Sequence, residues 1–230
     1  MKVLITGGAG FIGSHLASAW AARGAEVVVL DSLRTGRREN LEGIDCRFIE
    51  GSVEDPALVA EAIEGADYVH HLAALVSVPE SVEKPHLTES INVNGAINVL
   101  EAALAAEVKK VVLSSSSAVY GPIDRPVHTE DHLPDPISPY AITKLAGEHY
   151  LRMYQELHGL PTVSLRYFTV YGPRMRPNMA ISNFVSRCLN DDPPVIYGDG
   201  TQTRDFTYID DVVEANRTLL DTDAADGEIM

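Results

Sequence analysis

Gly7, Gly10 and Gly13 recur at every third position in TGGAGFIG, directly between the β-branched run VLITG that begins at Val3 and the amphipathic stretch FIGSHLASAWAARG. Few backbones use such a loop. It suits a strand-to-helix turn that must be tight, let a pyrophosphate approach the backbone and pack the helix closely, while the helix start at Phe11 and Ile12 offers unpaired N–H groups to an anion. A glycine triplet alone is a weak signal, because turns collect glycine. Here the next run, EVVVLD, ends at Asp31. That is close to the spacing of about 20 residues at which a carboxylate can accept hydrogen bonds from a ribose diol. Gly7, Gly10, Phe11, Ile12, Gly13 and Asp31 therefore read as a dinucleotide site. Asp31 would repel a 2′-phosphate, which favours NAD over NADP; Arg34, Arg37 and Arg38 nearby argue the other way.

The same strand–helix alternation continues. CRFIEG from Cys46, DYVHHLA from Asp67, KKVVLSSS from Lys109 and TVSLRYF from Thr162 read as strands, with helices starting near Pro56, Ser81, Ser138 and Ala180. Strands separated by helices of this length imply right-handed crossovers and a parallel sheet covered on both faces. The expected fold is α/β, a doubly wound parallel sheet of the Rossmann type. Past Phe168 the pattern loosens into segments rich in Pro, Gly and Arg, so residues 1–168 read as the nucleotide-binding domain and 169–230 as a smaller substrate-binding region interleaved with the last sheet elements. In that region NFVSRCLN and DDVVEANRTLL look helical.

Composition narrows the partners. Lys and Arg number 18 against 33 Asp and Glu, a net charge of −15, which makes nucleic acid or an anionic membrane a poor partner. Cys46 and Cys188 belong to no Cys/His cluster, so neither a disulfide framework nor a metal site is expected. With no leader-like or membrane-spanning run, the expected location is the cytoplasm.

SPYAITKLAGEHY places Tyr140 and Lys144 at i, i+4, on one helical face. Ser138 reads as the N-cap and Pro139 as the first helical residue, so Tyr140 sits in the first turn. An ammonium one turn away and the helix dipole both favour phenolate, which predicts a lowered Tyr140 pKa and a general base. The run SSSSAVYG from Ser114 ends a strand beside this helix and offers hydroxyls. His70 and His71 read as a structural pair at a strand end.

At these residues the chain resembles the extended short-chain dehydrogenase/reductases, and within them the nucleotide-sugar 4-epimerases. TGGAGFIG, HLAA at His71, INVNG, SSSSAVYG, SPYAITK, LRYFTVYGPR and YGDGTQTRDFTYIDD from Tyr197 follow the family order. The resemblance implies Tyr140, Lys144 and Ser116 as catalytic residues. It also implies Ser52 and Val53 near the adenine, Leu72, Ala73, Ala74 and Asn94 at the cofactor with Tyr140 and Lys144, and Arg204 on the substrate diphosphate. It further implies a homodimer paired through the helices of 81–107 and 138–158. Sugar-nucleotide dehydratases resemble this layout too, but the acidic pair they carry after the catalytic Ser or Thr is replaced here by Ser117 and Ala118, so epimerisation is expected.

TVYGPRMRPNMA resembles the corresponding segment of UDP-glucuronate 4-epimerases, with Asn178 where an Asp is usual, and VSVPES around Ser77 is compatible. Ser117, Thr169 and Arg176 would grip the sugar carboxylate, although Arg174 and Arg176 could instead bind diphosphate. A UDP-glucose or UDP-N-acetylglucosamine 4-epimerase is the alternative, and a non-catalytic NAD-binding regulator a more remote one. The closing GEIM resembles the start of a strand after which the family continues, so the substrate region is expected to be incomplete.

Overall fold

The computed structural model describes residues 1–122, 127–196 and 198–230; Tyr197, which opens the YGDGTQTRDFTYIDD run, lies outside them. Strands β1 (Lys2–Thr6), β2 (Glu26–Asp31), β3 (Arg47–Glu50), β4 (Tyr68–His71), β5 (Lys110–Ser116) and β6 (Thr162–Tyr167) form one sheet. Its order is β3-β2-β1-β4-β5-β6 and every pairing is parallel. The chain leaves β1 toward one edge and returns at β4 toward the other, so their carboxyl ends diverge and open a crevice between them.

Both faces are covered. α2 (Pro56–Ile63), α5 (Gly95–Ala105) and α6 (Pro139–His158) bury Val59, Val99, Leu100 and Leu151 against one face. On the other, α1 (Phe11–Ala22) and α8 (Ile209–Leu220) bury Leu16, Trp20, Leu219 and Leu220. The loose region contains a parallel pair, β7 (Thr169–Tyr171) with β8 (Phe206–Tyr208), that its pattern did not announce, since three-residue strands carry almost no periodicity. α7 (Ala180–Leu189) has no buried residue. The closing residues pair in parallel with β6, as expected for GEIM: Ser164 N–H donates to Glu228 O at 3.1 Å and Met230 N–H to Ser164 O at 2.9 Å.

The helix expected near Ser81 is interrupted. α3 (Val78–Glu83) starts earlier, capped by the Ser77 hydroxyl, and Pro85 restarts the chain as α4 (Pro85–Glu89), because a proline has no N–H to continue the preceding helix. A π-type turn, Ser90–Asn94, then leads into α5.

His70 and His71 lie inside the sheet. Trp20 Nε1 donates to His70 Nε2 at 3.0 Å, and His71 Nδ1 is 2.7 Å from the Thr6 hydroxyl. Burial pushes their pKa values down, to about 4 and about 3. Both are neutral in the folded protein, whereas the unfolded chain takes up protons below about pH 6.5. Their stabilising contribution is therefore complete above that pH and is lost as pH falls toward the folded values. Urea unfolding at pH 4.5 should show stability lower by a few kcal/mol than at pH 7, and His70→Gln should shrink that difference; a difference that His70→Gln leaves intact would assign it to other groups.

Candidate functional site

The crevice at the carboxyl ends of β1 and β4 is a cleft of about 560 Å³. Its floor is the glycine loop. Gly7 has φ +72°, and a Cβ there would lie 2.7 Å from Ala73 N; a Cβ on Gly13 would meet the Gly7 carbonyl and lie 2.7 Å from Gly8 Cα. No side chain caps α1, so its first-turn N–H groups are left for an anion. Asp31 ties this floor together: Ala9 N–H donates to Oδ2 at 3.0 Å and Leu33 N–H to Oδ1 at 2.8 Å. Burial raises its pKa, and these two donors oppose the rise. Each oxygen keeps a second lone pair for a diol.

Tyr140, Lys144 and Ser116 come together at the junction of α6 and β5. Ser138 Oγ accepts from Ala141 N–H at 3.2 Å and Pro139 opens the helix, which puts Tyr140 in the first turn. The Ser116 hydroxyl and Arg176 both act on the Tyr140 phenol in favour of its ionised form. Lys144 Nζ donates to Ser114 O at 2.6 Å and sits 5.9 Å from the Tyr140 ring centre. Burial depresses the Lys144 pKa to about 8, partly offset by Glu148. The expected lowering of the Tyr140 pKa is corrected: burial dominates and raises it, with the Ser116 hydrogen bond and Arg176 pulling the other way. Local sequence shows the lysine and the dipole, but not the desolvation that outweighs them.

Sequence comparison decides what this crevice belongs to. Residues 3–230 match the NAD dependent epimerase/dehydratase family. The chain belongs to that family. It is 40% identical over 224 residues to a UDP-glucose 4-epimerase of Mycolicibacterium smegmatis, covering 94% of this chain and 72% of the relative. Two solved structures are similar over the whole chain. A UDP-glucose 4-epimerase of Thermotoga maritima with UDP-glucose has TM-score 0.94 at 39% identity, with 75% of its chain covered. A UDP-glucuronic acid 4-epimerase of Bacillus cereus with NAD and a fluorinated UDP-glucuronic acid has TM-score 0.92 at 38% identity, with 76% covered.

In this NAD-dependent family member the cofactor is NAD, and the crevice fits it: a glycine cradle that a Cβ would fill, an uncapped helix start and a carboxylate at the end of β2. Gly7, Gly10, Phe11, Ile12, Gly13, Asp31, Ser52, Val53, Leu72, Ala73 and Ala74 all line the cleft, as does Arg176. The arginines that argued for NADP are engaged or outside. Arg34 lines the cleft near Asp31 but is paired with Glu80 of α3, Arg38 stacks on Phe48 at 4.9 Å, and Arg37 is exposed and does not line the cleft.

Other expected residues lie elsewhere. Asn94 is exposed and off the cleft, because the π-type turn rotates the INVNG run so that Ile91 faces the cleft and Asn92 is buried. Asn92 is a residue the sequence reading missed. Its Oδ1 accepts from Leu75 N–H at 2.7 Å, and its Nδ2 donates to Thr143 Oγ1 at 2.9 Å; Thr143 in turn donates to the Tyr140 carbonyl at 2.8 Å. Tyr140 N–H donates to the Ser81 hydroxyl at 3.2 Å, so α3 also holds the start of α6. Ser77 caps α3. Ser117 opens a short 3₁₀ turn after β5, and Thr169 starts β7. Arg204 is exposed, with a guanidinium N–H donated to Thr203 O. Among the described residues no group of three His, Cys, Asp or Glu could hold a metal, and no helix is long and apolar enough to cross a membrane.

Proposed function

We propose that this protein is an NAD-dependent UDP-sugar 4-epimerase whose substrate is UDP-glucuronate, converted to UDP-galacturonate through a transient 4-keto sugar. When bound, NAD would supply reversible hydride chemistry at C4 of the sugar. The chain's residues do the rest. Tyr140 takes the O4 proton as C4 is oxidised and gives it back on reduction; Ser116 hydrogen-bonds the reacting oxygen; Lys144 stabilises the phenolate with its positive charge.

The observation that carries the acid-sugar reading is Arg176. It lines the cofactor cleft and acts on the Tyr140 phenol, so its guanidinium stands at the reacting end rather than out with Arg174, which is exposed. A glucuronate oxidised at C4 is a β-keto acid prone to lose CO₂. A guanidinium paired with its carboxylate, aided by Thr169 and Ser117, would hold it in an orientation that disfavours that loss. A homodimer in the cytoplasm completes the proposal: Ile142 and Leu157 of α6 are exposed apolar residues that a second copy would cover, and Cys46 and Cys188 are free thiols suited to a reducing compartment.

Proton NMR of the C4 configuration tests the substrate. UDP-glucuronate, UDP-glucose and UDP-N-acetylglucosamine are incubated separately, and conversion of the acid sugar without net NADH is expected. Arg176→Ala should lower kcat/KM for UDP-glucuronate by roughly a hundredfold and spare the neutral sugars. Conversion of UDP-glucose alone would make this a UDP-glucose 4-epimerase. An equal loss on every sugar would assign Arg176 to the diphosphate or to the Tyr140 phenol, and not to the carboxylate.

A further inference from the structure

α6 carries Tyr140, Lys144 and Glu148 at four-residue intervals, a single stripe of the helix. Three consecutive serines at the end of β5 meet it. Ser116 acts on the Tyr140 phenol, the Ser114 carbonyl accepts from Lys144, and Ser115 Oγ donates to Glu148 Oε1 at 2.5 Å. Glu148 is 1% exposed. Arg166 stands opposite Ser115 in the β5–β6 register and forks onto both carboxylate oxygens, Nε to Oε1 at 2.9 Å and an Nη to Oε2 at 2.8 Å. Its guanidinium lies 4.7 Å from the centre of the Tyr120 ring.

A buried ion pair of this kind is a poor device for stability, since desolvation offsets most of its attraction and an apolar pair of similar volume would often pack as well. Neither Glu148 nor Arg166 lines the cofactor cleft. What lies one helical turn from Glu148 is Lys144, itself buried. We propose that Glu148, held in place by Arg166, is a positioning residue: its carboxylate stands one helical turn from the buried Lys144 ammonium as its counter-charge, and its bond to Ser115 locks α6 in the register that sets Tyr140 against Ser116. The proposal rests on the epimerase reading and names a part of that same site.

The groups around Lys144 differ in sign, and Glu148 supplies the negative charge among them. On its own helix stand Tyr140 and Glu148; β5 presents the Ser114 carbonyl, β4 presents His71, held neutral, and β6 presents Arg166 beyond Glu148. Arg176 faces Tyr140 from the segment after β7. Glu148 is the carboxylate in that set, and it raises the Lys144 pKa against the depression caused by burial.

The test is Glu148→Gln, which keeps the side chain's shape and removes its charge. Protein carrying ¹³C at lysine Cε is titrated by NMR. The chain's lysines are Lys2, Lys84, Lys109, Lys110 and Lys144, and loss of a resonance in Lys144→Met marks the one of interest. Its midpoint should lie near 8 in the natural protein and fall by about one pH unit in Glu148→Gln. The alkaline limb of kcat should move down with it, kcat at pH 8 should drop about fivefold, and KM should change less than about threefold. Arg166→Lys, which keeps the counter-charge, should leave the midpoint in place.

A Glu148→Gln midpoint and pH profile equal to those of the natural protein would overturn the proposal, whatever happens to Tm. If the single variant does not fold, Glu148→Gln/Arg166→Met leaves no unpaired guanidinium and should show a smaller downward shift, since the more distant Arg166 charge is lost with that of Glu148; an unshifted midpoint there overturns it equally. The titration needs no turnover, so a protein that converts no UDP-sugar sinks the epimerase reading, whereas an active enzyme with an unmoved Lys144 sinks only the role of Glu148.

Discussion

Tyr140→Phe is expected to lower kcat by roughly a thousandfold while the protein still folds, still carries NAD and still binds UDP-sugar with little change in KM. The substitution removes one oxygen. The ring keeps its place because Ser138 caps the helix, Ser81 accepts from the Tyr140 N–H and Thr143 donates to its carbonyl, none of which involves the phenol. The Lys144 bond to Ser114 is likewise untouched. The structural cost is small, about 1 kcal/mol at most, and the Ser116 hydroxyl keeps its bond from Ala118 N–H. The chemical loss is far larger, since O4 is left with no group of adjustable charge to take its proton. Steady-state kinetics with NAD content read by absorbance after acid release separates the two. A variant that keeps more than a tenth of the natural kcat, or that loses NAD and activity together, would remove Tyr140 from the role of general base.

The pKa of that phenol marks the boundary of what one-dimensional reading reaches. Ser138, Pro139, Tyr140 and Lys144 lie within seven residues, so helix start, cap and common face follow from spacing, and the structure has them all. Desolvation depends on β5, α3 and the Arg176 segment closing over the helix, which spacing does not encode, and it reverses the expected sign. The glycine loop and Asp31 were legible for the same local reason. The Glu148–Arg166 pair was not, because it joins residues 18 apart through a strand register. Asn94 shows a subtler limit: it was expected from the resemblance alone, and in the π-type turn Ile91 lines the cleft, Asn92 is buried and Asn94 is exposed. Arg204 shows another, since an arginine in a loop gives no sign of which way it turns.

The glycine loop makes the second large prediction, and it turns on which glycine is replaced. Gly13→Ala should weaken NAD binding at least a hundredfold, about 3 kcal/mol, and lower Tm, whereas Gly10→Ala should cost less than tenfold. Three glycines at equal spacing look interchangeable in sequence. In the structure a Cβ on Gly13 points into the backbone of Gly7 and Gly8, which cannot give way without moving the cradle itself, and α1 would have to lift from the loop. A Cβ on Gly10 meets only the Gly7 carbonyl, at 3.1 Å, and Gly10 has φ −76°, which any residue adopts. The alanine there needs a shift of a few tenths of an ångström. Isothermal titration of NAD into protein stripped of cofactor, with thermal unfolding of each variant, gives both numbers. Equal losses for the two would mean that the pyrophosphate needs bare backbone at Gly10 as well, and that closeness to the ligand rather than helix packing sets the glycine requirement. A harmless Gly13→Ala would show that α1 can slide away from β1 without opening the site.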